Sequence, residues 1–440
     1  MSGDSSPRST LPKASRAYRL GKRLLDLGVA LSLLILMAPI MLFFLPWLML
    51  RGQVSLPSRE FIGPGAGQIR LHALELPPLR NHVLSWLLRR LDPLPRILDL
   101  LAGRLTLVGP RPIRPAEVDS FGGPEHPRFG VVPGMVCLWW LRQRSNIDYG
   151  SEGEADLEYL SQRNLRRDLS ILLRALVALA YGPSTRNGSA CQFISGIRLL
   201  NLSMDSLLDA IDAALNRGTR TRIAFVNPDC VNIAARNARY RQTLENFDWV
   251  CADGIGMKIA GSLLGRPIRQ NINGTDLFPR LCAALAVSGH SLYLLGARDG
   301  VAEATAQWAR ARYPELKIAG THSGFFSAAE EPALLAEIRA ARADVLLVAM
   351  GAPRQEQWLE AQLEATGALV GMGVGGLFDF YSGRIRRAPL WLREMGGEWV
   401  YRLLQEPGRM WRRYLVGNLV FLFRIMLEKF AGTNQKGPVV

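Results

Sequence analysis

The 440-residue sequence is poor in the residues that build covalent and metal cross-links. Its five cysteines (Cys137, Cys191, Cys230, Cys251 and Cys282) form no CxxC pair. Its five histidines (His72, His82, His126, His290 and His322) make no HxxxH or HExxH spacing. A disulfide framework and a structural zinc site are therefore excluded as organising devices, and a reducing compartment suits the chain. No internal repeat is present, and low complexity is confined to the first 16 residues. Disorder throughout is excluded as well, because 48% of the residues are hydrophobic, enough for two or three domains with cores.

Acidic residues are scarce only at the two ends. Residues 1–112 hold 15 Lys and Arg against 6 Asp and Glu, and residues 384–440 hold 11 against 4, whereas the middle holds 27 against 28. The formal net charge of +15 is thus terminal, and the same ends carry the long apolar runs. From Leu27 to Leu50 no charge occurs for 24 positions, between Lys22, Arg23 and Asp26 on one side and Arg51 on the other. At about 1.5 Å per residue a helix of this length could reach across a hydrocarbon core of roughly 30 Å. Pro39 and Pro46 interrupt the run, so a re-entrant hairpin competes with a plain span. It has no A-x-A cleavage site and is too long for a signal peptide. A second run, Leu415–Leu427, is too short to span and reads as an interfacial helix with Arg412, Arg413, Arg424 and Lys429 around it. Basic residues beside apolar segments suit anionic headgroups, so membrane lipids are expected as partners and nucleic acid is not.

The turn-rich run YGPSTRNGSA near residue 190 divides the chain. Beyond it, short apolar runs alternate with helical patterns: Arg222–Val226 with Val231–Leu244, Trp249–Ala252 with Met257–Leu264, Ser291–Leu295 with Val301–Tyr313, and Val345–Ala349 with Gln355–Ala365. Lys317–Ala319 and Leu369–Met372 complete the series. Such alternation predicts a parallel α/β sheet that binds ligands at the carboxyl ends of its strands. Asn227, Asp253, Gly296, Gly351 and Gly373 each open a loop at such an end. LLGARDG and GMGVGG offer backbone N–H groups to a phosphate, although neither completes a dinucleotide or P-loop fingerprint. Asp253 in CADGIGM is placed as a general base or ribose ligand would be, or as the N-cap of a helix over 255–264. Asp229, Asp379 and the Gln355–Glu356 pair carry the same two readings.

FVNPDC, ADGIGM, INGTDL, LLGARDGVAEATA, GAPRQEQW, GVGGLFDFYSGRIRRAP and EWVYRLLQEPGRMWRRY, in this order, resemble the successive motifs of the WecG/TagA/CpsF glycosyltransferases from about 197 to 430. The resemblance implies an inverting, metal-independent enzyme without cofactor. Its donor would be a UDP-sugar and its acceptor a polyprenyl-diphosphate-linked saccharide, at the cytoplasmic face of the bacterial inner membrane. Carried over by motif, Asp253 would be the general base and Gln355 would position substrate. Asn227, Thr275, Asp276, Gly296, Gly351, Gly375 and Asp379 would line the donor pocket, and Arg402, Arg409 and Arg412 would reach the diphosphate. These arginines are spaced 7 and 3 apart, so one helical face could carry all three; because Pro407–Gly408 interrupts the stretch, that face requires a kinked helix or two segments meeting at an angle. Where some members have Thr two residues before the first-motif Asn, this chain has Phe225.

The first half resembles the bacterial sugar transferases, polyprenyl-phosphate phosphoglycosyl transferases, over about 18–185 through KRLLDLGVALSLLILMAPI, LDPLPRILDLLAGRLTLVGPRPIRPAE and RFGVVPGMVCLWWLRQRS. The family's nucleophile is the Asp of an Asp-Glu pair, and no such pair lies between Arg51 and Leu101. A covalent phosphosugar intermediate needs that carboxylate, so a degenerate module is expected, with Glu75 and Asp92 as remote substitutes. The expected organisation is a basic arm (1–17), a membrane-associated α+β module (18–190), a Rossmann-like α/β glycosyltransferase domain (191–383) and a C-terminal helical appendage (384–430). The alternative is a bifunctional enzyme whose first half still transfers a phosphosugar. The oligomeric state, homo-oligomer included, is left open.

Overall fold

The computed structural model describes residues 14–39, 42–43, 45–50, 55–73, 94–145, 151–179 and 189–431. They form two compact units, one up to Val177 apart from the strip at 144–146, the other from Ala178 onward together with that strip.

The first unit contains α1 (Arg16–Pro39), α2 (Leu45–Leu50), an antiparallel hairpin of β1 (Ser58–Ile62) and β2 (Gln68–His72), and α3 (Leu94–Leu101). Then come β3 (Thr106–Val108), which pairs in parallel with β4 (Gly134–Val136), α4 (Leu138–Ser145), α5 (Glu152–Ser161) and α6 (Leu165–Leu179). Its core gathers Ala30, Leu100, Leu107, Tyr159 and Ile171. The charged start of α1 is turned inward. Lys22 Nζ donates to Asp168 at 2.8 Å and to the Val108 carbonyl at 2.7 Å. Arg23 donates to the carbonyls of Leu100 and Leu101, capping α3, and Asp26 accepts from Thr106 Oγ1 and the Leu107 N–H. Lys22 and Arg23 therefore neutralise protein groups instead of facing headgroups, which corrects their sequence reading. The uncharged run is also divided, because α1 stops at Pro39 and α2 begins at Leu45. Among the described residues no helix is long and apolar enough to cross a membrane. Glu75 and Asp92 lie outside the described residues.

The second unit is built on an eight-stranded sheet. Its strands are β5 (Cys191–Ile194), β6 (Ile197–Leu200), β7 (Thr221–Val226), β8 (Trp249–Ala252), β9 (Ser291–Gly296), β10 (Lys317–His322), β11 (Val345–Ala349) and β12 (Val370–Gly373), in the spatial order β10-β9-β11-β12-β7-β8-β6-β5. All neighbours are parallel except the β5–β6 hairpin at one edge. Parallel strands are covered on both faces, hence the unbroken apolar run of β11 (VLLVA), every residue of which is buried. In β7, Ala224 and Val226 enter one apolar layer and Ile223 and Phe225 the other.

The covering helices are α7 (Met204–Asn216), α8 (Pro228–Ala234), α9 (Ala238–Glu245), α10 (Ile255–Leu263), α11 (Gly274–Ser288), α12 (Val301–Arg312), α13 (Glu331–Ala341), α14 (Arg354–Thr366) and α15 (Leu377–Tyr381). The helix expected over 231–244 is two helices, because Asn237 accepts from the Tyr240 N–H and caps a new one. The C-terminal segment comprises α16 (Leu390–Glu394), α17 (Glu398–Gln405), α18 (Pro407–Trp411), a π-turn over Arg412–Val416 and α19 (Gly417–Phe430). α19 buries Phe421 and Ile425 in the same apolar layer as α8 and α10, and Asn232 on α8 donates to the Gly417 carbonyl at 2.8 Å.

Candidate active site

Strand order fixes where the site residues meet. Along the carboxyl edge, the ends of β9, β11, β12, β7 and β8 follow one another, and they present Gly296, Gly351, Gly373–Gly376, Asn227 and Asp253. The chain runs from β7 to β8 on one side and returns to β12 on the other, so a topological switch point opens between β7 and β12.

Asp253 follows β8 directly, and its N–H donates to the Val226 carbonyl at 2.8 Å. Gly254, at φ +88°, is the N-cap of α10, and no side chain caps that helix. The Asp253 carboxylate is thus not spent on capping the helix. The Gly254 N–H is taken by Asn271 Oδ1 at 2.6 Å. Asn227 accepts through Oδ1 from the Asp229 and Cys230 N–H groups at 3.1 and 3.2 Å, capping α8, and its side chain also hydrogen-bonds Asp253. Burial pushes the Asp253 carboxyl up to about 6, Arg413 and Asn227 pull it down, and Glu398 and Asp276 push it up again. A carboxylate near 6 is ionised at neutral pH yet more basic than an ordinary one, which suits proton abstraction.

Arg413 is the arginine that reaches this corner, with Nε 3.2 Å from Asp229 Oδ2. Of the three arginines expected on one face, Arg402 and Arg409 converge on Glu406 and Arg412 turns away. Arg402 lies against Gly376, where an added Cβ would stand 2.5 Å from its Nη2. Arg409 is mostly exposed and 3.6 Å from Glu406, and Arg412 is exposed over the Trp411 ring. Pro407 starts a new helix and the π-turn shifts the register by one residue, bringing Arg413 inward in place of Arg412.

Gln355, at the start of α14, is buried and its acceptor is fully used. Oε1 accepts from the Gly351 N–H at 3.1 Å and the Gly375 N–H at 2.9 Å, and Nε2 donates to Glu356 at 2.7 Å. It staples the β11 and β12 loops together and reaches a ligand only through them. Burial lifts Glu356 to about 7.

Thr275 and Asp276 open α11. The Thr275 carbonyl accepts from Tyr381, while Asp276 takes Asn273 Nδ2 at 2.7 Å and an ion pair with Arg387. Asp379 is buried and paired with Arg384 at 2.6 Å. Asp276 and Asp379 therefore anchor the segment after β12 through cations the sequence reading had not singled out. Phe225 is buried in an apolar layer beneath the site. Gly296 is pinned by the fold itself, since at φ +143° an added Cβ would lie 2.6 Å from the Ala349 backbone. Gly351, at φ +80°, and Gly375, at φ +57°, face open space.

An α/β sheet with a half-buried carboxylate at its carboxyl edge and arginines returning from the C-terminal segment accords with the comparisons. Residues 192–435 match the glycosyl transferase WecG/TagA/CpsF family. The chain belongs to this family. It is a glycosyltransferase, and residues 82–182 match the bacterial sugar transferase family. Among similar proteins, the N-acetylglucosaminyldiphosphoundecaprenol N-acetyl-beta-D-mannosaminyltransferase of Bacillus subtilis (strain 168) is 30% identical over 50% of this chain and 86% of its own length. Its namesake from Bacillus spizizenii is 34% identical over 44% of this chain and 74% of its length. That from Staphylococcus aureus (strain MW2) is 30% identical over 56% and 95%. Asn271, Arg384 and Arg387 escaped the sequence reading as site residues, and Arg413 was named there only among the basic residues around the interfacial helix.

Proposed function

We propose that the chain is a membrane-associated, inverting glycosyltransferase that moves a sugar from a UDP-sugar to a polyprenyl-diphosphate-linked saccharide. The reaction would take place at the cytoplasmic face of the membrane, in assembly of an exopolysaccharide or another cell-surface glycan. The relatives' names specify a diphosphoundecaprenol-linked acceptor, and the observation that carries the reading is the place of Asp253, directly after β8 at the carboxyl edge, where Gly254 and not its carboxylate caps α10. In this reading Asp253 takes the proton of the acceptor hydroxyl as its oxygen bonds to the anomeric carbon from the face opposite the nucleotide. The bond from that carbon to the diphosphate breaks, and its electron pair leaves with UDP. Arg402 and Arg409 offset the charge that develops there. Gln355 keeps the Gly351 and Gly375 loops in register for the donor by accepting both of their N–H groups.

We read the first unit as a non-catalytic membrane module. Of the two described carboxylates between Arg51 and Leu101, Asp99 is fully buried and engaged by His72 and Arg104, and Glu60 pairs with Arg70 on the hairpin. Membrane attachment is supported by apolar side chains exposed on α1 (Leu31, Ile35, Leu36) and on α19 (Leu419, Phe423, Phe430).

Asp253→Asn tests the core of this reading. With a panel of UDP-sugars and short-chain polyprenyl-diphosphate sugars, transfer should fall by about 10²–10⁴-fold, the usual contribution of a general base. UDP affinity and melting temperature should hardly move. Near-normal transfer by the variant would sink the assignment.

A further inference from the structure

Glu406 closes α17, and its carbonyl accepts from the N–H groups of Arg409 and Met410, which fixes the residue at the bend before α18. Its carboxylate is surrounded by three guanidinium groups. Arg384 Nη2 lies 3.9 Å from Oε1, Arg409 Nη1 3.6 Å from Oε1, and Arg402 Nε 3.9 Å from Oε2. None of these reaches hydrogen-bond distance, although ion pairs elsewhere in the same unit do, at 2.9 Å for Arg239–Glu360 and 3.0 Å for Arg266–Glu428. Among the described residues Glu406 Oε2 and Arg402 Nε are buried without a hydrogen-bond partner. A buried donor and acceptor that face each other without bonding are costly for a purely structural contact.

The surroundings explain the spacing. Arg402 passes over Gly376, where only a residue without a side chain leaves room, and lies 5.4 Å from the centre of the Phe380 ring. Arg384 is held at 2.6 Å by Asp379 in the same segment. Among the described residues, Asp379 and Glu406 are the carboxylates paired with the three arginines, which leaves one positive charge in excess. Arg384 and Arg402 are held by Asp379 and by Gly376 and Phe380, and a single carboxylate is too small to bond all three guanidinium groups at once. A diphosphate, with more oxygens over a longer span, fits that spacing better.

The geometry points to Glu406 as the internal counter-ion of this arginine site. It occupies the arginines while the site is empty, yields them to the diphosphate of a substrate, and re-pairs with them as UDP departs. Glu406 is thereby a positioning residue that sets how tightly the diphosphate is held. This inference rests on the proposal that Arg402 and Arg409 bind a diphosphate.

The test uses the full chain in detergent micelles, with inorganic pyrophosphate and UDP as probes in titration calorimetry. Glu406→Gln removes the competing charge at nearly constant volume and should tighten pyrophosphate binding at least fivefold, lower the UDP inhibition constant by a similar factor and steepen the salt dependence. Glu406→Asp keeps the charge but withdraws it by one methylene, so it should tighten binding too, by less. A mere brace predicts the opposite sign, and unchanged or weaker binding in both variants overturns the inference. Arg409→Ala, measured in parallel, separates the two ideas. If it weakens pyrophosphate binding while neither Glu406 variant strengthens it, the counter-ion role fails and the arginine reading stands. If it has no effect on pyrophosphate, the arginine reading itself fails and the inference falls with it.

Discussion

At the residue scale the site is governed by what surrounds one carboxylate. Asp253 is raised first by burial, and Arg413 is the largest influence in the other direction. The value of about 6 therefore reflects burial resisted by a cation from the C-terminal segment. Because only the ionised form accepts a proton, kcat/KM should rise with pH through about 6 and level off above it. Arg413→Gln removes the charge that favours the carboxylate, so the limb should move to higher pH while the plateau survives. A pH–rate profile of the two proteins checks this, and a limb that stays in place would detach Arg413 from the base. Asp253 was legible from CADGIGM, since a strand end followed by glycine presents an acid. Its competition with a capping role was not, because only the backbone shows that Gly254 and not Asp253 is the N-cap of α10.

Elements decide which glycines serve the fold and which face the ligand. The sequence places Gly296 and Gly351 alike at strand ends, and the structure separates them. Gly296 lies against the Ala349 backbone where β9 and β11 pair, so a methyl group meets main chain that cannot move aside. Gly351 shares a left-handed conformation but has open space around it. Gly296→Ala should therefore cost about 3 kcal/mol of unfolding free energy, combining backbone strain with overpacking. Gly351→Ala should cost about 1 kcal/mol, from its conformation alone. Denaturant titration of the two variants compares them directly, and equal losses would mean that the pinch at Gly296 relaxes. The same scale accounts for the arginines. A continuous helix would have put Arg402, Arg409 and Arg412 on one face, but Pro407 and the following π-turn divide the segment, and helical periodicity carries no information across a break.

For the whole molecule, the apolar surface is concentrated on particular faces. α1 packs Ala30 into a core while Leu31, Ile35 and Leu36 stay exposed, and α19 buries Phe421 and Ile425 while Leu419, Phe423 and Phe430 stay exposed. A bilayer interface would cover such faces. Each of these side chains contributes on the order of 1 kcal/mol or more when buried. Replacing Leu31, Ile35 and Leu36 together by Ser should then lower partition onto anionic liposomes by about 100-fold. Flotation of the full chain measures it, and undiminished binding would remove α1 from the attachment surface.

The sequence alone determined the alternation of strands and helices beyond residue 190 and the set of loops at the carboxyl edge, because these follow from local periodicity and turn chemistry. It also carried the family, whose motifs are short, ordered stretches. Strand order was beyond its reach, and with it the switch point between β7 and β12, since pairing depends on contacts between residues far apart in the chain. Tertiary structure likewise decided that Gln355 is spent on two loops, that Lys22 and Arg23 turn inward, and that Arg413 rather than Arg412 stands beside Asp229. In each case a side chain long enough to face solvent or protein takes the partner the fold leaves unpaired, and residue type by itself does not record that partner.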